Sequence, residues 1–234
     1  MRTHNRARGP AGEAVSGHDP GASDAGFEAA RARLVDSLVD AGRIERPATI
    51  DALRSVPRHE FVPEERRAEA YADRPLPIGF GATISAPHMV GIMCDLLALG
   101  PGDRVLEIGT GCGYHAAVVA EIVGGDNVYS VEYVGELAEA ARGRLGRLGY
   151  GGVTVRAGDG REGWPEHAPY DAIYLTCAPP ELPAAATDQL RAGGRVVGPV
   201  GTATQTLVEV VKTRSGLDRR THGEVRFVGM NGAG

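Results

Sequence analysis

Between residues 27 and 42 the apolar positions Leu34, Val35, Leu38 and Val39 recur at i, i+1, i+4 and i+5, one face of a helix. Gly42 stands where a C-terminal cap belongs. A second short helix is predicted over 50–56, ended by Pro57. Residues 58–86 keep neither period and carry Pro63, Pro75, Pro77, Gly79 and Gly81. So long a stretch without regular structure points to a functional loop. Pro87 reads as the first residue of a helix reaching about Leu97, with Ser85 or Ala86 at its cap.

After Gly100-Pro101-Gly102 short apolar runs alternate with helical segments. Strands are predicted over 104–108, 127–132, 153–157, 171–175 and 195–199. Helices are predicted over 114–123, 134–148 and near 182–190. Such alternation means an α/β fold, a parallel sheet covered on both faces. Two further strands, 207–212 and 225–228, are expected at the end, joined by a polar turn. No internal repeat is visible.

Composition narrows the class. Residues 1–25 hold Gly, Ala, Ser and charge with hardly a bulky apolar group, so a disordered tail is expected there. The remainder, 26–234, suits one domain: a helical, loop-bearing region over 26–100 and an α/β core over 101–234. The net charge of −5 disfavours a nonspecific nucleic-acid binder. Cys94, Cys112 and Cys177 are odd in number and widely spaced, which disfavours a disulfide framework or a zinc site and suits a reducing, cytoplasmic setting. No apolar run is long enough to span a membrane, and the N-terminus lacks a secretory h-region.

The candidate chemistry centres on Gly109-Thr-Gly-Cys-Gly113, between a strand and a helix. Gly109 and Gly111 let the backbone approach a ligand, and Gly113 lets helix and strand pack closely. A plain tight turn is the bland alternative. Position 114 is Tyr, so the G-x-G-x-x-G dinucleotide fingerprint is not met, and the Gly-Lys-Ser/Thr ending of a P-loop is absent. Glu107, just before the loop, would repel a pyrophosphate but suit an ammonium and a sulfonium. S-adenosylmethionine carries both and no phosphate. Glu132, ending the second core strand, stands where an acid accepts from ribose hydroxyls, with Tyr133 beside it. Asp159, in Gly158-Asp-Gly160, follows the third and could accept from the adenine amino group. Taken singly, Glu132 could be a solvated strand-end acid and Asp159 a turn former.

Glu107-Ile-Gly-Thr-Gly-Cys-Gly-Tyr114, with Glu132 and Gly158-Asp-Gly160, resembles the Rossmann-like class I methyltransferases. Pro77-Ile-Gly-Phe-Gly-Ala-Thr-Ile-Ser-Ala-Pro-His-Met89 is more specific and resembles the protein-L-isoaspartate O-methyltransferase family. The likeness runs from about Leu34 to Met230 and includes Arg58-His-Glu-Phe-Val-Pro63, Pro169-Tyr-Asp-Ala172, Gly193-Gly-Arg195, Pro199-Val-Gly201 and Val225-Arg-Phe227. Members from halophilic archaea look most similar. The resemblance implies a mostly parallel, roughly seven-stranded sheet with an N-terminal helical segment. It also implies methyl transfer from S-adenosylmethionine to the free α-carboxylate of L-isoaspartyl residues in proteins and peptides. The ester then closes to a succinimide that hydrolyses partly to aspartate. No metal, nucleic acid or membrane is implied, and a monomer is expected.

Two features depart from common members. Ala82 replaces the Gln that many bacterial members carry, as in animal members, and Ala178-Pro179-Pro180 has a second proline. Ala178 also offers no acceptor for a base amine, which disfavours nucleic-acid methylation.

A carboxylate acceptor is already ionised at neutral pH, so alignment rather than a strong base is required. Ser85 is the expected positioning group for the substrate carboxylate, aided by N–H groups at the start of the helix opening with Pro87. Its alternative role is to cap that helix. Thr83 and Ile84, with Ser85, Thr110 and Gly160, are expected around the cofactor. His88 is a substrate contact or a packed helix histidine. Cys112 reads as small loop filler, and His115 with Cys112 is too small a set for a metal. Two rival readings share this core: a methyltransferase for one aspartate of a peptide natural product, and a non-catalytic binding module.

Overall fold

A computed structural model of the chain describes residues 23–230. Most of the expected N-terminal tail therefore lies outside the described residues. Its last positions belong to the first helix, α1 (Asp24–Asp40), where Ser23 is the N-cap and its Oγ accepts from the Gly26 N–H at 3.2 Å. Gly42 ends that helix in the left-handed region, φ +62°, as expected. α2 (Pro47–Ser55) begins three residues before the predicted start, because Pro47 occupies its first turn.

Two short 3₁₀ turns, Arg58–Phe61 and Glu64–Glu69, interrupt the stretch expected to be loop. It then forms a hairpin that periodicity did not reveal, β1 (Leu76–Gly79) and β2 (Ala82–Ile84), paired antiparallel with Leu76 opposite Ile84. Strands of four and three residues, one containing Pro77, are too short to show a period-2 pattern. α3 (Pro87–Leu97) follows as predicted.

The core alternates as expected: β3 (Val105–Ile108), α4 (Tyr114–Val123), β4 (Val128–Glu132), α5 (Gly135–Arg147), β5 (Thr154–Ala157), β6 (Tyr170–Leu175), α6 (Ala184–Asp188) and β7 (Leu190–Gly201). β8 (Gln205–Thr213) and β9 (Gly216–Val225) complete a seven-stranded sheet in the order β5-β4-β3-β6-β7-β8-β9. The first five strands run parallel, and β8 is antiparallel to both neighbours. The last strand therefore differs from the expected 225–228. β9 is an edge strand exposed along almost its whole length, so no buried face imprints a pattern on its sequence.

Side chains along β3 alternate between two cores. Val105 packs on the side of α1–α4, whereas Leu106 and Ile108 pack with Val131, Ile173 and Leu175 on the other. The chain runs outward from β3 through β4 to β5 and then crosses back to β6 on the other side of β3. The crevice at the carboxyl ends of these strands is the switch point where ligands gather in open α/β sheets.

Candidate active site

At this crevice lies a cavity of about 360 Å³. Its lining brings together Thr83, Ile84, Ser85, Glu107, Gly109, Thr110, Gly111, Glu132, Tyr133 and Gly160 of the residues expected from sequence. The hairpin supplies one rim, the glycine loop and β4 the other. Asp159 and His88 do not line it.

Glu107 is fully buried, and the sheet register supplies its partners. Ser130 of β4 and Tyr174 of β6 stand beside Glu107 in the two neighbouring ladders. Ser130 Oγ donates to Oε2 at 2.5 Å and Tyr174 OH to Oε1 at 2.9 Å, while Thr110 Oγ1 is 2.5 Å from Ser130 Oγ. Burial raises the Glu107 pKa to about 8, against the two hydroxyl donors, which favour the charged form. No Lys or Arg lines the cavity to offset that charge. A cationic ligand without phosphate therefore fits this site and a pyrophosphate does not.

Glu132 is nearly buried at the end of β4. Its Oε2 accepts from the Gly111 N–H at 2.8 Å and its Oε1 from the Val134 N–H at 3.0 Å. Each oxygen keeps a lone pair for another donor. The Glu132–Gly111 bond also ties the glycine loop to β4. Gly109 sits at φ +100°, and a Cβ there would come within 2.3 Å of Thr176 Oγ1. A Cβ on Gly160 would come within 2.4 Å of Ile108 Cγ2. The glycines thus do more than turn the chain, because any side chain would meet the walls of the cavity.

Asp159 lies beside the cavity with its carboxylate turned to Arg161, Oδ2 to Nη2 2.6 Å, and it also accepts from the Arg161 N–H at 2.9 Å. That is the turn-forming geometry. Ser85 follows β2, is half-buried and faces the cavity. It does not cap α3: the N-cap is Ala86, with no side-chain bond. The start of α3 is closed by Asp73, whose Oδ1 accepts from the His88 N–H at 2.9 Å and lies 2.8 Å from His88 Nδ1. Met89 and Val90 give their N–H groups to Ala86 O. The expected free N–H groups at this helix start are thus already paired, and His88 is held by Asp73.

Two functional stretches escaped the sequence. Val228, Gly229 and Met230 line the cavity as an irregular strap, tied to the loop after β6 by Ala178 N–H to Val228 O and Met230 N–H to Ala178 O, both 2.9 Å. Thr176 and Cys177, which follow β6, line it too. Only the family-like run Val225-Arg-Phe227 signalled the strap, because an irregular segment has no period. Phe80 was also overlooked. It forms the hairpin tip at φ +53°, between Gly79 and Gly81, and lines the mouth while 63% exposed. A left-handed non-glycine residue costs about 1–2 kcal/mol.

The imidazole and the thiols of the cavity are poorly suited to take a proton near neutrality. Burial lowers the His115 pKa to about 3, with Nε2 3.5 Å from Cys94 Sγ. Burial likewise raises the thiols of Cys112 and Cys177.

Comparison with known proteins agrees with this geometry. Residues 29–233 match the family model "Protein-L-isoaspartate(D-aspartate) O-methyltransferase". Protein-L-isoaspartate O-methyltransferase 2 of Archaeoglobus fulgidus is 53% identical over 208 residues, covering 88% of this chain and 94% of that protein. The Methanopyrus kandleri protein of that name is 50% identical, covering 88% and 93%. A solved protein-L-isoaspartate O-methyltransferase superposes with a TM-score of 0.79 at 32% identity, covering 87% of this chain and 66% of that longer one. A Plasmodium falciparum structure, in complex with S-adenosyl-L-homocysteine, gives 0.77 at 25% identity, covering 86% and 98%. The fold is that of a class I methyltransferase and the cofactor is S-adenosylmethionine. With the fold, the cavity and the relatives in accord, the chain belongs to the protein-L-isoaspartate(D-aspartate) O-methyltransferase family.

Proposed function

We propose that the chain methylates the free α-carboxylate of L-isoaspartyl residues in damaged proteins and peptides, starting their repair, and that the cavity's two rims divide this work. One observation carries the proposal: Ser85 lines the same cavity as Glu107, Glu132 and the glycine loop. When bound, S-adenosylmethionine supplies an electrophilic methyl group on a cationic sulfur. Glu107 would take its ammonium group, Glu132 and Tyr133 its ribose and neighbouring surface, and Gly109, Thr110, Gly111 and Gly160 the close backbone contacts. Asp159 would serve the adenine end only after turning from Arg161. Thr83 and Ile84 carry the hairpin wall that leads to Ser85.

Ser85 donates its hydroxyl to the substrate carboxylate and orients it. No residue must remove a proton, because the acceptor is already an anion. That agrees with a cavity whose imidazole is neutral and whose thiols are protonated. The hairpin and the strap line the cavity and would shield the electrophile from water. A monomeric, cytoplasmic protein is part of this reading; the chain's three cysteines are all free, which suits a reducing setting. No described helix is long and apolar enough to cross a membrane.

The test is methyl transfer from labelled S-adenosylmethionine to an isoaspartyl peptide beside its ordinary aspartyl twin. Label in the isoaspartyl peptide alone is expected. Equal labelling of both, or of neither, would refute the proposal.

A further inference from the structure

Phe80 is unexplained by folding and by the chemistry above. It is one of two non-glycine residues with positive φ among the described residues, and it sits between two glycines that also adopt positive φ. Nothing buries it: 63% of its surface is exposed, and none of the ring contacts among the described residues involves it. A turn of this conformation favours Gly or Asn, and a bulky residue at positive φ is an outlier. Among the described residues the exposed large hydrophobic side chains are Val39, Phe80, Tyr133 and Leu217, and of these only Phe80 and Tyr133 line the cavity. Tyr133 adjoins Glu132 on the cofactor rim. Phe80 stands on the opposite rim, on the hairpin that leads to Ser85 five residues later.

An isoaspartyl residue that reaches Ser85 must bring its chain neighbours past this rim. We infer that Phe80 is a specificity-determining residue: it packs against an apolar side chain directly adjacent to the isoaspartyl residue and so favours apolar-flanked damage sites. The chemistry is one of apolar contact, because an aromatic ring exposed in the free protein gains most by covering apolar surface on binding. The inference rests on the substrate proposed above.

The experiment uses the full chain and two isoaspartyl hexapeptides differing only beside the isoaspartyl residue, Leu in one and Gly in the other, with each flank tested in turn. Wild type should show a higher kcat/KM for the Leu peptide at one flank, carried by KM. Phe80→Gly should shrink that ratio roughly three- to tenfold, and Phe80→Tyr should restore it. Glycine suits φ +53°, so the variant should fold, and its melting temperature should not fall. A ratio unchanged in Phe80→Gly would overturn the assignment. So would a loss equal for both peptides, or a loss traced to weaker S-adenosylhomocysteine binding, which would make Phe80 part of the cofactor wall. If wild type methylates neither peptide, the substrate proposal itself fails, a result distinct from these.

Discussion

Glu107→Gln separates the charge of the cavity floor from its shape. In the free protein burial holds Glu107 near a pKa of 8, whereas the ligand's amino-acid ammonium stays protonated through that pH. The pair Glu107 carboxylate with ammonium exists ready-made only where both are ionised. At pH 8 about half of Glu107 is charged, whereas at pH 6 only about one in a hundred is. Affinity should therefore fall about 50-fold between pH 8 and pH 6, or about 2 kcal/mol. It should fall again above pH 9 as the ammonium deprotonates. Calorimetry with S-adenosylhomocysteine at pH 6, 7 and 8 reads this directly. In buffers of different ionisation enthalpy at pH 7, binding should release close to one proton. Glu107→Gln should bind more weakly at pH 8 and lose both the acid limb and the proton release. Less than twofold change between pH 6 and 8 in wild type would refute the assignment of Glu107 to the ammonium, as would proton release that survives in Glu107→Gln.

The same group makes a second, opposite prediction for the ligand-free protein. Its folded pKa lies above its unfolded value of about 4.5, so the folded state binds more protons between pH 4.5 and 8 and loses stability as pH rises through that window. The limit is about 5 kcal/mol above pH 8, and Glu107→Gln should raise the melting temperature at pH 8.5 more than at pH 5; an equal shift at both would count against a buried charge. Glu132→Ala should weaken S-adenosylhomocysteine binding by roughly 1–3 kcal/mol and loosen the Gly111 loop, so unchanged calorimetric affinity removes Glu132 from the site. Because Ala86 and not Ser85 caps α3, Ser85→Ala and Ser85→Gly should lower turnover on an isoaspartyl peptide with little change in melting temperature, and Ser85→Asp should be worst; a fully active Ser85→Asp enzyme would end the positioning role. Gly160→Ala should cost about 1–3 kcal/mol in thermal unfolding, since its Cβ would meet the core side chain of Ile108; a neutral change would mean the loop yields freely.

The order of strands and helices from Val105 onward was legible because period and punctuation are local properties. So was the ligand class. A carboxylate before a glycine loop that lacks both nucleotide fingerprints already points to a cation, and the cavity without Lys or Arg agrees with it. The hairpin and β9 were not legible, because three- and four-residue strands and a fully exposed edge carry no pattern; only pairing partners define them. Side-chain partnerships across the sheet were equally hidden. Ser130 and Tyr174 lie 23 and 67 residues from Glu107, and only the registers of β4 and β6 against β3 aim their hydroxyls at its carboxylate. Likewise the sequence leaves Ser85 a capping role beside its positioning one, and only the structure puts Ala86 at the cap and brings Asp73, fifteen residues before His88, to the His88 N–H. The sequence by itself determined the types of element, the order of the core and the chemistry of the glycine loop, since these depend on neighbours in the chain. The tertiary structure decided which polar groups meet, which acids face the cavity and which turn away, because burial and hydrogen bonding depend on neighbours in space.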